Sequence, residues 1–360
     1  MENEYFKAPK AMIKLPTTRA AYSDRTAWMM SEMSALAYFP FEGEKSLSQE
    51  IRMVTGPLKL FYKMRKKTDV ADKISELEQR LKEYIDSRTE PDNGQSNSGK
   101  EALEAALISA GFALVRTFNK GDTQAFLAKR EKDNVAVLSF RGTEENSWKD
   151  IKTDLNFRFY KGEKGAKVHS GFSGALHHVK DEIREALMLR DLESYSLYIT
   201  GHSLGGALAI IASKEFEKDS LAACYTFGSP RVGDAEFGEQ IKAPVYRVVN
   251  AADAVPRLPL SWCVDIIAWI ISIFHGKFAD YIKENFSGYI HYGDMRYLTA
   301  CDNDIQKLKV LQNLGVGSRL KRFLRIVLRH GPSVAGKDHR MNEYRKKLKY
   351  YAEKRNKLDA

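Results

Sequence analysis

One stretch of the chain constrains the fold more than any other, because a strand pattern, a sharp turn and a helix pattern follow one another there. Residues 194–200 (SYSLYIT) have the alternation of a β-strand, and residues 207–216 (ALAIIASKEF) have the spacing of an amphipathic helix. Gly201, Ser203 and Gly205 lie between them. Glycines two positions on either side of a serine let neighbouring segments pass close to a strained turn. The order predicts a nucleophile elbow that presents Ser203.

Strand and helix patterns alternate along the rest of the chain. Helical patterns separate the later strand-like runs, which is typical of parallel strands joined by crossover helices. We therefore expect an α/β fold with a mostly parallel central sheet flanked by helices. The strand-like runs outside the elbow lie at 112–118, 123–130, 135–140, 222–228 and 245–250.

The cysteine count and the N-terminus give further expectations. Cys224, Cys263 and Cys301 are an odd number without close spacing, which favours free thiols over a disulfide framework or a zinc site. No cluster of His, Cys and Asp has ligand spacing, so we expect neither a metal nor an organic cofactor. The first residues lack the apolar core of a signal peptide. We expect a cytoplasmic or peripheral membrane protein, with export by a signal-less route as the alternative.

Positive charge is concentrated at the C-terminal end of the chain. The formal net charge is +10, and residues 305–360 contain 16 Lys or Arg against 4 Asp or Glu, which leaves a net charge of −2 for residues 1–304. No nucleic-acid motif accompanies these basic residues, and most charge runs are solvated helix faces. We therefore expect an anionic membrane surface as the partner, and no nucleic acid.

A basic amphipathic helix is predicted at residues 318–330 (SRLKRFLRIVLRH). Such a helix either packs on a core with its basic face in water or lies in a membrane interface. Its predicted apolar face consists of Leu320, Phe323, Leu324, Val327 and Leu328.

Two segments have the character of insertions. Residues 41–100 contain a helix pattern at 72–86 and a polar, loop-like stretch after it. Residues 260–287 contain an apolar run at 266–274, which is shorter than the ~20 residues that a membrane span needs. This run is either a buried helix or a second lid that faces lipid.

A serine nucleophile needs a carboxylate and a histidine. The histidine takes the serine's proton and the carboxylate orients the histidine, and with this elbow both follow the serine along the chain. Asp253, just beyond the strand-like run 245–250, is preferred to Asp234, whose position suits a helix cap. The residue pattern leaves the histidine open between His291, in a β-rich aromatic stretch, and His339, at a loop-to-helix junction. The other downstream histidines are His275 and His330.

Five sequence motifs, which follow one another in the order given at the end of this paragraph, resemble those of the class 3, fungal-type lipases. The resemblance implies one α/β-hydrolase domain over residues 1–360, with insertions at 41–100 and 260–287 and a basic helical part at 305–360. The N-terminal pattern at 27–38 (AWMMSEMSALAY) is similar to the opening helix of bacterial members. The motifs are SFRGT (139–143), VHSGF (168–172), GHSLGGALA (201–209), TFGSPRVGD (226–234) and VVNAADAVPRLP (248–259).

The resemblance also implies residue roles. The family's histidine lies in a pattern similar to DHRMNEY, which implies His339 as the catalytic base and gives His291 a structural role. The family's second oxyanion donor follows Arg-Gly in SFRGT, which is Thr143 here. The first donor, by elbow geometry, is the N–H of Leu204. Residues 144–157, with Trp148, match the position of the family's mobile lid.

These observations lead to one functional expectation and one alternative. We expect a serine ester hydrolase of the triacylglycerol lipase or phospholipase A1 type, which acts on lipid esters through an acyl-enzyme. The alternative is a non-catalytic membrane- or partner-binding protein on a lipase scaffold. The motifs set neither acyl-chain length nor positional specificity nor oligomeric state.

Overall fold

The chain forms two compact units in the computed structural model. One unit comprises Met1–Tyr38 with Ala106–Ala360, and the other comprises Phe39–Ala105. The insertion predicted at 41–100 falls in the second unit, and both it and the predicted single-domain organisation stay predictions. The structure describes residues 5–7, 21–40, 70, 72–77, 79, 95–121, 123–142, 159–161, 165–189, 192–217, 220–258, 288–301 and 304–358.

The first unit is built on an eight-stranded sheet with the order β1-β2-β3-β6-β7-β8-β9-β10, beside a two-stranded sheet of β4 and β5. The strands are β1 Ala113–Lys120, β2 Thr123–Arg130, β3 Val135–Phe140, β4 Phe159–Lys161, β5 Lys167–His169, β6 Ser196–His202, β7 Leu221–Phe227, β8 Val245–Asn250, β9 Asp294–Leu298 and β10 Val310–Gln312.

The middle of the sheet is parallel and its edges are antiparallel. Strands β3, β6, β7, β8 and β9 run in one direction. The pairs β1–β2, β2–β3 and β9–β10 are antiparallel. The prediction of a mostly parallel central sheet is confirmed, and because parallel strands end at one edge, the loops after β3, β6, β7 and β8 meet there.

Helices flank this sheet, as predicted. Those of the first unit are α1 Asp24–Leu36, α3 Ser170–Leu187, α4 Leu204–Glu215, α5 Ala235–Glu239, α6 Val316–His330, α7 Val334–His339 and α8 Met341–Leu358, with short 3-10 helices at Glu131–Asp133, Val255–Arg257 and Ile305–Lys307. Helix α2, Gln95–Ser109, begins in the second unit and ends in the first. No helix among these described residues is long and apolar enough to cross a bilayer.

The two faces of the sheet carry different helices because successive side chains of a strand point to opposite sides. Ile199 of β6 belongs to the large hydrophobic core that also contains Ile183 of α3 and Leu208 of α4. The next residue, Thr200, donates a hydrogen bond to the carbonyl oxygen of Met30 in α1 at 3.3 Å. Helix α8 packs against α1 on that second face.

A buried ion pair joins α1 to α8. The carboxylate of Glu32 accepts hydrogen bonds from Nε and Nη2 of Arg345 at 3.1 and 2.7 Å. It also accepts from the indole N–H of Trp28 and from the backbone N–H of Phe6. Because every oxygen of this carboxylate is engaged, the pair fixes the position of α8 on the sheet.

Two of the three cysteines fall within the described residues. Cys224 and Cys301 are free thiols, as expected, and burial raises the pKa of Cys224 to about 12. Cys263 lies outside the described residues.

Arg345→Met tests the α1–α8 ion pair. The change leaves the Glu32 carboxylate buried without its cation, so we expect the free energy of unfolding to fall by about 3 kcal/mol. Urea unfolding of both proteins measures the loss. The matched control is Arg355→Met on the same helix, whose pair with Asp24 is long, at 3.9 Å, and largely exposed on the arginine side, so it contributes about 1 kcal/mol or less. Equal losses in the two variants would contradict the assignment.

Candidate active site

Ser203 occupies the sharp turn between β6 and α4. Its φ of 56° and ψ of −127° lie in a region that residues with a Cβ atom seldom adopt. The strained turn is held by a hydrogen bond from the N–H of Ser203 to the carbonyl oxygen of Phe227 at 2.9 Å. The strand, the turn and the helix thus follow one another as the sequence predicts.

Close backbone approach explains the glycines that flank Ser203. A Cβ atom on Gly201 would overlap the carbonyl oxygen of Gly205, and a Cβ atom on Gly205 would overlap the carbonyl oxygen of Phe140. Gly142, after the end of β3, lies so close that a Cβ atom there would be 3.2 Å from that of Ser203. The loop after β3 therefore runs directly beside the serine.

His339 and Asp253 complete a buried chain of hydrogen bonds with Ser203. Nε2 of His339 lies 2.9 Å from Oγ of Ser203. Nδ1 of His339 lies 3.0 Å from each carboxylate oxygen of Asp253. The three residues are at most 2% exposed. The structure brings together the three side chains that the sequence analysis selected.

Asp234 and His291, the alternatives to Asp253 and His339, make hydrogen bonds outside this chain of three residues. Asp234 caps α5, because its Oδ1 accepts from the N–H of Phe237 at 2.9 Å. Nε2 of His291 donates to the carbonyl oxygen of Pro256 at 2.6 Å. His330 is exposed at the end of α6, and His275 lies outside the described residues.

Two further donors hold the Asp253 carboxylate. The hydroxyl of Tyr344 donates to Oδ2 at 2.6 Å and accepts from the N–H of Asn250 at 3.0 Å. The N–H of Val255 donates to Oδ1 at 2.9 Å. Burial and the charge of Asp253 raise the pKa of Tyr344 well above its usual value, so the phenol stays a donor. The sequence analysis missed Tyr344, although it lies within the DHRMNEY motif that was read for His339.

The end of β7 must carry glycine. Gly228 has a φ of +58°, and a Cβ atom there would lie 2.6 Å from Oδ2 of Asp253 and 3.0 Å from Nδ1 of His339. Any side chain at this position would separate the histidine from its carboxylate.

The backbone around His339 is anchored from two directions. His202 donates from Nε2 to the carbonyl oxygen of His339 at 2.7 Å, and its Nδ1 accepts from the hydroxyl of Tyr38 at 2.8 Å. Asp338 accepts the N–H of Ala252 on its carboxylate at 2.8 Å. The residue before the histidine is thus tied to the loop that holds Asp253, and the residue before the serine is tied to the histidine itself.

The oxyanion side of the site is described only in part. Leu204 is the first residue of α4, and the N–H groups of a first helical turn have no partner within their own helix. Its N–H is therefore a donor placed next to Ser203. Thr143, the segment 144–157 with Trp148, and the segment 260–287 lie outside the described residues. Within the part that the structure describes, no group of three or more His, Cys, Asp or Glu side chains has the geometry of a metal site.

Residues 137–262 match the family model for class 3 lipases. Over these residues, the chain is similar to the class 3 lipase family. The matched segment contains the elbow and Asp253, while His339 follows it. The similarity of the N-terminal helix to that of bacterial members stays a prediction.

Proteins similar to this chain include named lipases. A lipase of Rhizopus niveus is 33% identical over 163 residues, which cover 41% of this chain and 41% of that protein. A triacylglycerol lipase of Arabidopsis thaliana is 33% identical over 190 residues, which cover 38% of this chain and 37% of that protein. The chain therefore spans about two fifths of the length of these relatives. The structure of the Rhizomucor miehei triacylglyceride lipase superposes with a TM-score of 0.48 and 25% identity, over 65% of this chain and 81% of that one.

Burial keeps two histidines near the site neutral. Burial lowers the pKa of His202 well below its ordinary value, and the neighbouring His339 lowers it further. Burial also lowers the pKa of His169 to about 4. Nδ1 of His169 caps α3 by accepting from the N–H groups of Gly171 and Phe172 at 3.1 and 3.3 Å, which requires an unprotonated nitrogen.

We expect stability to fall as the pH drops below about 6.5. The unfolded chain binds protons at both histidines near pH 6.5 and the folded protein does not, so their contribution is complete above that pH and is lost as the pH falls, for His169 toward about 4. Urea unfolding between about pH 7.5 and about pH 5 measures this slope. His202→Asn should flatten it, whereas His177→Asn, at an exposed position of α3, should not. An unchanged slope in His202→Asn would refute the assignment.

Proposed function

We propose that this protein hydrolyses carboxylic esters of lipids, as a triacylglycerol lipase or a phospholipase A1, with Ser203 as the nucleophile. The observation that carries the proposal is the 2.9 Å contact between Oγ of Ser203 and Nε2 of His339, whose Nδ1 lies 3.0 Å from the Asp253 carboxylate. The class 3 lipase segment and the similarity to named lipases support a lipid ester as substrate.

In this proposal the first half-reaction forms an acyl-enzyme. Oγ of Ser203 attacks the ester carbonyl carbon while Nε2 of His339 takes the hydroxyl proton. Asp253 keeps the other imidazole proton on Nδ1 and stabilises the imidazolium. The N–H of Leu204 donates to the developing oxyanion, and Thr143 is the proposed second donor. His339 then gives its proton to the leaving alcohol.

The second half-reaction restores the serine. His339 removes a proton from a water molecule, and the resulting hydroxide attacks the acyl carbonyl carbon. The proton returns to Oγ of Ser203 as the carboxylic acid departs. Each step uses only groups of this chain and water, and the buried hydrogen bonds to Asp253 keep the imidazole aligned throughout.

A fluorophosphonate probe tests the nucleophile and separates this function from a non-catalytic scaffold. We expect the probe to label the wild type and not Ser203→Ala, because only a serine activated by a base reacts. The matched control is Ser213→Ala, since that buried serine of α4 donates to the carbonyl oxygen of Ala209 four residues earlier and contacts no residue of the site. A wild type that the probe does not label would favour the non-catalytic alternative.

A hydrolysis assay with a lipid ester distinguishes the roles of His339 and His291. We expect His339→Ala to lower the hydrolysis rate at least about 100-fold, since it removes the base. His291→Asn should keep most of the activity, because that residue bonds only to a loop carbonyl. Activity that survives in His339→Ala and is lost in His291→Asn would overturn the mechanism.

We further propose that α6 brings the enzyme to an anionic lipid surface. Leu320, Leu324 and Leu328 form a row along the helix and are 48, 49 and 86% exposed. Lys321 and Arg325 lie beside this row. The alternative that the whole apolar face packs on the core does not fit these exposures, while an apolar row with adjacent cations suits an anionic membrane interface.

Sedimentation with vesicles tests the α6 surface. We expect binding to phosphatidylcholine vesicles that contain phosphatidylglycerol, and weaker binding in high salt, since the attraction is partly electrostatic. The variant Leu320→Ser/Leu324→Ser/Leu328→Ser should lose it. The matched control changes two exposed apolar residues after α3, Met188→Ser and Leu189→Ser. If both variants sediment alike, α6 is not the contact surface.

A further inference from the structure

Four arginines from four different elements converge beside the turn at 255–258. Arg247 lies on β8, and Arg231 follows β7, where its N–H donates to the carbonyl oxygen of Leu258 at 2.9 Å. Arg257 belongs to the 3-10 helix and donates from Nη2 to the carbonyl oxygen of Arg319 at 3.4 Å. We call these four residues the arginine cluster.

Helix α6 covers the arginine cluster from one side. Arg319, in its first turn, contacts the sulfur of Met295 at 3.7 Å, and Met295 is the neighbour of Arg247 in the β8–β9 pairing. The guanidinium of Arg257 stacks on the ring of Phe323 one turn further along α6, at 4.1 Å from its centre. The cluster therefore has Arg247 at its base and the other three arginines around it.

The base of the cluster is buried and short of acceptors. Arg247 is only 8% exposed, and its Nε and Nη1 atoms have no hydrogen-bond partner among the described residues. The Nε atoms of Arg257 and Arg319 are also buried without a partner. All of these atoms are donors, and buried donors in native proteins nearly always bind an acceptor.

Within the described residues this charge is offset only in part: Asp294 raises the pKa of Arg247 and Asp253 raises the pKa of Arg257. Among the described residues, no ion pair joins Arg247, Arg257 or Arg319 to an acid. Asp253 is occupied by the site hydrogen bonds, and Asp294 pairs with Arg296 at 2.9 Å.

The arginines of the cluster repel one another, and this repulsion lowers the pKa values of its buried groups. Burial, together with the charges of Arg319 and Arg231, lowers the pKa of Arg247 to about 9. Burial lowers the pKa of the adjacent His291 well below its usual value, and Arg247 and Arg231 add to this effect, so His291 stays neutral and adds no charge. A bound anion would relieve this repulsion.

We propose that Arg231, Arg247, Arg257 and Arg319 bind a phosphate group, either as free phosphate or as the phosphate of a lipid headgroup. The donors approach from four elements, which suits a tetrahedral group with acceptor oxygens on several sides better than a planar carboxylate. The start of α6 adds favourable polarity, because its first turn contains no acidic residue and its N-cap, Gly315, has no side chain. The bound group would join α6 to the turn after Asp253.

Titration calorimetry of the full chain with inorganic phosphate tests the proposal. We expect one site per chain, and a thermal midpoint that is higher in phosphate than in chloride at equal ionic strength. Arg319→Met, at a partly buried position, should raise the Kd at least about tenfold, and Arg247→Met should do the same if it folds. The matched control is Arg322→Met, an exposed arginine of the same helix, which should keep the wild-type Kd.

Several results would overturn the site. These are equal midpoints in phosphate and chloride, many weak sites without a defined stoichiometry, or equal effects of Arg319→Met and Arg322→Met. Ser203→Ala should bind phosphate like the wild type, so failure of the site and failure of the proposed hydrolysis are separate results.

A vesicle arm distinguishes the two sources of the phosphate group. If the ligand is a headgroup, Arg319→Met should bind phosphatidic acid vesicles more weakly, and inorganic phosphate should compete with the vesicles for the wild type. If the ligand is free phosphate, Arg319→Met should sediment with vesicles like the wild type while its affinity for inorganic phosphate falls. Either pattern supports the site, and an unchanged affinity in both measurements excludes it.

Discussion

The hydrogen bond between Ser203 and His339 is the constraint on which the rest of the first unit depends, because it joins residues that lie 136 positions apart in the chain. The serine is fixed by a strained turn at the edge of the sheet, so the histidine must be brought to it. The C-terminal helices do this: α8 is fixed on α1 by the buried pair of Glu32 and Arg345, and Tyr344 in its first turn bonds to Asp253. The packing of α8 on α1 therefore also determines the geometry of the site.

Local sequence patterns were enough for six strands of the eight-stranded sheet and for the elbow, but they missed β9 and β10 and the residues that hold the site together. A strand followed by a glycine-flanked serine and a helix is a local arrangement, so periodicity and glycine spacing predicted it. Tyr38 and Tyr344 act through contacts with residues 164 and 91 positions away, and no periodicity encodes such contacts. The choice between His291 and His339 also lay beyond local pattern. The structure puts His339 beside the serine, and its role in catalysis stays a prediction.

The amphipathic pattern of α6 correctly predicted a helix. It did not predict which of its apolar side chains are covered and which are exposed. Periodicity reports that apolar side chains share one face, and it does not report what covers that face. Phe323 is partly covered because Arg257 stacks on its ring, whereas Leu324, the next residue, is about half exposed. One apolar face is therefore divided between an inner contact and an outer row, and this division depends on the neighbouring loop.

That loop links the outer helix to the centre of the site through a short series of bonds. Val255 donates to the carboxylate of Asp253, and two residues later Arg257 donates to the backbone of α6 at Arg319. A displacement of the first turn of α6 must therefore be taken up within the 255–258 turn or passed on to the carboxylate. Because like charges meet at this turn and, among the described residues, Arg247, Arg257 and Arg319 form no ion pair with an acid, an anion there would strengthen the link between α6 and the turn. The same helix then carries an outer surface suited to lipid and an inner end bonded to the turn that positions Asp253.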